Sequence, residues 1–202
     1  MKMNVTIARR YGSGGHDIGK LVADWLGIDF YDKEILAVAA KESGIDVAHF
    51  EAADEKPANS FLYSIAMSGQ IYANAGDFLT NDKLFAFQSN AILKTAKEKP
   101  GLFVGRCADY ILRDLPNVVK IFIHADDEAR IKRITEIKNV SESEAKTLIK
   151  KADKKRASYY NFYADGKWGD PSLYDLTINS SRLGIEGTAE AICDVVRLME
   201  NK

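Results

Sequence analysis

The stretch NVTIARRYGSGGHDIGK, Asn4 to Lys20, decides how the chain is read. Asn4 to Ala8 is a short β-rich run. It ends in a glycine-rich loop, Tyr11 to Gly15, and a helix follows with Ile18, Leu21, Val22, Trp25 and Leu26 at helical spacing. Gly27 stands where a C-terminal cap belongs. A strand that runs into small residues and then into a helix N-terminus makes an anion site. Without Cβ atoms, backbone N–H groups approach phosphate oxygens, and the helix end adds partial positive charge. A plain tight turn would use the same glycines.

Two registers of a phosphate loop are available. The pattern GxxxxGK[ST] can be laid on Gly14 to Leu21, but Lys20 then falls about a turn into the helix and Leu21 offers magnesium no hydroxyl. In the other register the loop is Arg9 to His16, Gly15 stands at the lysine position and His16 at the hydroxyl position. The main-chain cradle survives in that register and the ammonium does not, so Arg9 or Arg10 supplies the missing charge.

Working outward, Ile28 to Tyr31, Leu102 to Gly105, Val118 to His124 and Leu176 to Asn179 read as further strands. The last helix carries one apolar stripe: Ile185, Ala189, Ile192, Val196 and Met199. Strands alternating with helices imply βαβ units, an α/β fold and a parallel sheet. Ligands bind at the carboxyl ends of such strands, so the loops after Ala8, Gly105, His124 and Asn179 are the functional ones. Residues 44–90 are irregular and helical in tendency. Residues 126–160 read as two helices, the second announced by the capping box Ser141 to Glu144.

A chain of 202 residues and 22.4 kDa suits one domain, and at 46% hydrophobic and 28% charged it can bury a core. Twenty-eight basic against 29 acidic residues argue against a nucleic-acid or membrane-surface protein. Two cysteines, Cys107 and Cys193, make neither a disulfide framework nor a four-ligand zinc site, which fits the cytoplasm. The N-terminus has no secretory apolar core, and the uncharged window Pro57 to Gly76 is too polar to span a bilayer. Three scattered histidines assemble no metal triad. Charge is uneven: residues 130–156 hold ten basic and four acidic residues. That segment is either an ordinary solvated helix pair or a basic flap over polyphosphate.

The order of these features resembles the cytidylate kinase-like group of P-loop nucleoside monophosphate kinases. It comprises the glycine loop and its helix, FYD at 30–32, GR at 105–106, R-x-x-R at 130–133, the basic helix pair, and NSSRLG at 179–184. ARRYGSGGHDIGK, FVGRCADYILRD and WGDPSLYDLTINSSRLGIE are closer to the cytidylate kinase-like branch than to true cytidylate kinases. The resemblance implies a P-loop NTPase-type three-layer sandwich, with residues 1–202 forming one domain. It also implies a helical acceptor-binding insert at about 44–90 and a lid at about 126–165. The implied reaction carries the γ-phosphate of ATP, with Mg2+, to CMP or a related small acceptor. By the same resemblance Gly12, Ser13, Gly14 and Gly15, with His16 and Asp17, hold the donor phosphates. Arg130 stacks on the donor base, and the loop Ser180 to Gly184, with Ser181 and Arg182, flanks it. Arg133 and Arg156, joined by Arg9 or Arg10, neutralise the phosphoryl group in transfer. Arg106 binds the acceptor phosphate, and Asp32 approaches the acceptor or its sugar.

Departures from the pattern leave other readings open. Gly15 removes the lysine, and Cys107-Ala108 follow GR where true cytidylate kinases have Asp. The chain is then either a kinase with another acceptor, non-nucleotide ones included, or a nucleotide-sensing module that kept the cradle and lost turnover. Asp109 starts or caps a helix, or contacts a base. Tyr63, Tyr72 and Phe78 are core or acceptor pocket, Tyr159, Tyr160, Phe162 and Tyr163 anchor the lid, and Trp168 to Pro171 form a turn.

Overall fold

The structure, a computed structural model, describes residues 2–54 and 80–201. Strand β1 (Asn4–Arg9) lies between two neighbours, and Val5 and Ile7 are fully buried. A strand covered on both faces needs a nearly continuous apolar run, which NVTIA supplies. The sheet order is β2 (Asp29–Tyr31), β3 (Gly101–Val104), β1, β4 (Val118–His124), β5 (Leu176–Asn179), and every pairing is parallel. Ile7 faces Val104 on one side and Ile121 on the other. Because β3 and β4 flank β1 from opposite directions, the chain leaves a crevice at the carboxyl end of β1, where such sheets hold their ligands.

Two helical layers cover the sheet. On one face α1 (Gly15–Leu26) packs with the last helix, α8 (Ser180–Glu200), and Ile18, Val22, Ala189, Ile192 and Val196 meet Val5, Ile7 and Ile121. On the other, α2 (Glu34–Ser43), α3 (Val47–Ala53) and α4 (Asn81–Glu98) share a core with Phe103. Side chains alternate across β3, with Leu102 and Val104 facing the first layer and Phe103 the second. The short α5 (Ala108–Ile111) follows β3, and the helix pair α6 (Asp127–Lys138) and α7 (Glu142–Tyr163) follows β4.

The strands fall within a residue of their expected bounds. Gly105 leaves β3 at φ 75°, and Ile28 belongs to the cap of α1, its N–H bonding to Ala23 O. Gly27 caps α1 in the left-handed conformation, and Ser141 and Glu144 form the capping box of α7. The expected insert boundary at residue 90 lies inside the continuous helix α4. Helix α8 is broken at Gly184, whose φ of 71° is open to glycine, so its apolar stripe begins after the break. The window Pro57 to Gly76, with Tyr63 and Tyr72, and Phe78 beyond it, lie outside the described residues. Among the described residues no helix is long and apolar enough to cross a membrane.

Asn4 locks the layers together. Fully buried, its amide donates to Ala96 O (3.0 Å) near the end of α4 and accepts from Gly101 N (3.0 Å) at the start of β3. Asn4→Ala strands both partners in the interior, so the unfolding free energy should fall by about 2 kcal/mol. Urea denaturation followed by circular dichroism measures this as a lower midpoint at unchanged slope.

Candidate functional site

Beyond β1 the main chain turns through Gly12 (φ 82°) and Gly14 (φ 77°), and Gly14 is the N-cap of α1. A Cβ at Gly14 would lie 2.3 Å from Ile185 Cδ1, and one at Gly15 would lie 2.7 Å from Arg9 Cβ. Glycine is therefore demanded at position 14 by its backbone angle and at position 15 by the close approach of Arg9. With no capping side chain, the first N–H groups of α1 are left for a ligand. Lys20 is exposed in the second turn of α1, outside the residues that line the cleft above the loop.

The loop's carbonyls are fastened from behind. Ser13 Oγ donates to Arg10 O (2.8 Å), and Ser180 Oγ donates to Ser13 O (2.7 Å). Arg156 donates to Arg9 O (3.0 Å), and Arg130 Nε donates to Tyr11 O (2.8 Å). Tyr11 N–H donates to Asp153 (2.8 Å), whose second oxygen accepts from Arg130. The Tyr11 ring inserts between α6 and α7 beside Ile134 and Ile149, with the Arg156 guanidinium 5.6 Å from its centroid.

A cleft of about 480 Å³ opens above the loop. It gathers Arg9, Arg10, Arg133 and Arg156, together with Gly12, Gly14, Gly15, His16, Asp17 and Asp32. Ser13 is buried beneath the loop. Arg133 pairs with Asp17. Arg130 is not in this cleft: only 2% exposed, it is bonded to Tyr11 O, Asp127 (2.9 Å) and Asp153. Ser181 and Arg182 also lie outside it. Ser181 Oγ accepts from Asp126 N–H (2.8 Å), and Arg182 is exposed.

Toward β3, Arg106 (φ 54°) and Cys107 (φ 57°) are consecutive left-handed non-glycine residues, a strained arrangement that aims Arg106 inward. Buried, Arg106 donates to Asp32 (2.7 Å) and Asp54 (3.0 Å), and Asp32 also meets His16 Nδ1 (2.9 Å). Burial pushes the Asp32 carboxyl up, but the charges of Arg9 and Arg106 and the hydrogen bonds of Arg106 and His16 outweigh it and hold it below its ordinary value. Asp109, in the first turn of α5, accepts from Tyr160 Oη (2.7 Å), and its burial pushes its carboxyl up. It thus anchors α7. Tyr159 and Tyr160 pack with Cys107, and Tyr163 stacks on Phe85. Trp168 packs edge-on against Phe122, and Asp170 closes the turn by accepting from Ser172 N–H. Burial and nearby Arg10 lower the His124 pKa, which favours the neutral imidazole. Among the described residues no three His, Cys, Asp or Glu side chains form a metal cluster.

Asp153, Asp54 and Ile185 have no site role in the sequence reading, and Ser180, expected beside the donor base, fastens the loop through Ser13 O. Only Asp153 gives a signal: it is the one carboxylate between Ala145 and Tyr163 in an otherwise basic run.

The profile of the cytidylate kinase-like family matches residues 4–182. The chain belongs to that family. A cytidylate kinase of Methanosarcina acetivorans is 27% identical over 183 residues, covering 89% of this chain and 88% of the relative. The crystal structure of an uncharacterized protein from Eubacterium ventriosum is 29% identical with a TM-score of 0.73, covering 96% of this chain and 98% of that one. A shikimate kinase from Bacteroides thetaiotaomicron superposes with a TM-score of 0.53 at 14% identity, covering 96% and 98%, and shows the shared fold alone. The family member described here therefore has the parallel-sheet sandwich of the P-loop kinases.

A carboxyl held below its ordinary value stabilises the fold at neutral pH, and that contribution is lost as pH falls through the lowered midpoint. In an NMR titration, Asp32 should protonate below the ordinary range of an aspartate. Arg106→Met should move the midpoint upward, because the buried carboxylate loses an opposing charge.

Proposed function

We propose that this chain transfers the γ-phosphoryl group of ATP to the phosphate of a nucleoside monophosphate, CMP or a close relative. An acceptor phosphate oxygen attacks the γ-phosphorus, the bond to the β–γ bridging oxygen breaks, and ADP leaves. The observation that carries this reading is the Gly12–Gly15 loop opening onto a cleft ringed by four arginines. Phosphoryl transfer asks for alignment and charge compensation more than for covalent help. The loop's N–H groups and the N-terminus of α1 suit the donor's β-phosphate, and Arg133 and Arg156 suit the group in transfer.

Arg9 is the fitting substitute for the absent lysine. Its Cβ and Cγ fill the space that a side chain at position 15 would need. Arg106, set between Asp32 and Asp54, suits the acceptor phosphate. Magnesium prefers oxygen ligands, and position 16 offers an imidazole where a hydroxyl would serve. Asp17 and Asp32 are the cleft's carboxylates and would hold the ion alongside the nucleotide's own oxygens. Bound there, it would neutralise charge on the phosphates. Two buried thiols, Cys107 and Cys193, suit a reducing cytoplasm.

A sensing role without turnover has one observation in its favour: Arg133 and Arg106 are already paired with carboxylates. ADP release measured in a coupled assay over a panel of monophosphates separates the two. Turnover with a pyrimidine monophosphate supports the kinase, and ATP binding without turnover of any acceptor supports the sensor.

For an active enzyme, Arg9→Ala should lower kcat by about 10²–10³-fold. Gly15→Lys should not raise activity, because the new Cβ collides with Arg9. Only Arg9→Gly combined with Gly15→Lys, which removes the Arg9 Cβ as well, should restore a cation, and steady-state kinetics of the three variants checks the order.

A further inference from the structure

Seven of the ten basic residues of 130–156 line one of two clefts beside the lid. Arg133, Lys138 and Arg156 face the loop cleft, while Lys146, Lys150 and Lys154 line a second, larger cleft of about 610 Å³ between α6, α7 and Trp168. Arg10 borders both, and Arg130, Asp127 and Asp153 also line the second. The two carboxylates are already committed to Arg130. The cationic groups of Arg10, Lys146, Lys150 and Lys154 have no hydrogen bond or ion pair among the described residues. Lysines at i, i+4 and i+8 on one helix repel one another, and a polyanion relieves that repulsion. Ile131, Ile149 and Ala157 give the cleft an apolar wall, and Trp168, backed by Phe122, adds an indole. The volume falls within the range of small-molecule sites, about 300–1,000 Å³.

We propose that this cleft is a second nucleotide site, taking a nucleoside di- or triphosphate with its phosphates on the lysine row and its base against Trp168. It goes beyond the kinase reading, which uses only the loop cleft. Its effect on that reading is regulatory. Arg130 and Asp153 line the second cleft and grip the Tyr11 main chain on both sides, so an occupant bears on the groups that fix the phosphate loop.

The test uses Trp25→Phe, which leaves Trp168 as the sole tryptophan of the chain's two. Trp25 is half exposed in α1, so the change spares the core. ADP should alter Trp168 emission, and calorimetry should count two ADP per chain. Lys146→Glu with Lys150→Glu should abolish the emission change and leave one ADP, with the thermal midpoint unchanged. Lys146→Met with Lys150→Met, which keeps the apolar stems, should weaken the second site in the same direction. Arg133→Ala should weaken the first site and spare the emission change. One ADP per chain in the parent protein, or an emission change that survives both lysine pairs, overturns the proposal. Inorganic pyrophosphate binding as tightly as ADP overturns its nucleoside part. Absence of turnover with every monophosphate would instead count against the kinase reading, and it is read in a separate assay.

Discussion

The main chain of one residue holds the site together. The N–H of Tyr11 is taken by Asp153 and its carbonyl by Arg130, so the loop is gripped from both sides by one ion pair. A turn containing two left-handed glycines is soft by itself, and main-chain donors stabilise charge well only when they are fixed in advance. Here the carbonyls of Arg9, Arg10, Tyr11 and Ser13 each receive a side-chain donor. With the acceptors fastened on the protein side, the N–H groups at the start of α1 are what the loop presents to the cleft.

The arginines show how charge is apportioned. Arg130 is buried and bonded to two carboxylates, which makes it part of the scaffold. Arg106 is likewise buried between Asp32 and Asp54, whereas Arg133 meets Asp17 at the cleft, where an anion can compete with the carboxylate for the guanidinium. Breaking a buried pair is far costlier than exchanging a partner at a solvated rim. The R-x-x-R spacing thus delivers two residues of one type to opposite fates three positions apart.

The sheet is legible in the sequence because its strands are short apolar runs bounded by glycine, asparagine or proline, and because a strand covered on both faces tolerates little else. Gly27, Ser141 and Glu144 are legible for a similar reason: each cap is closed by atoms within a few residues. The glycines of the loop are visible too. Their reasons are not, since Ile185 and Arg9 reach Gly14 and Gly15 only through the fold. Asp153 lies 142 residues from Tyr11 and looks like one more solvated charge among lysines. Ser180 reads as part of a serine pair until the start of α8 is set against Ser13. The fate of Arg130 is hidden likewise, because burial of a guanidinium depends on carboxylates supplied by two different helices.

The grip on Tyr11 has a consequence for modularity. In a chimera that carries the 126–165 segment of another kinase, both Asp153 and Arg130 depart with the segment they belong to. The recipient's glycine loop then loses its tether along with its cover. For this chain, the α6–α7 pair and the glycine loop form one heritable unit, and exchanging either alone unfastens the loop.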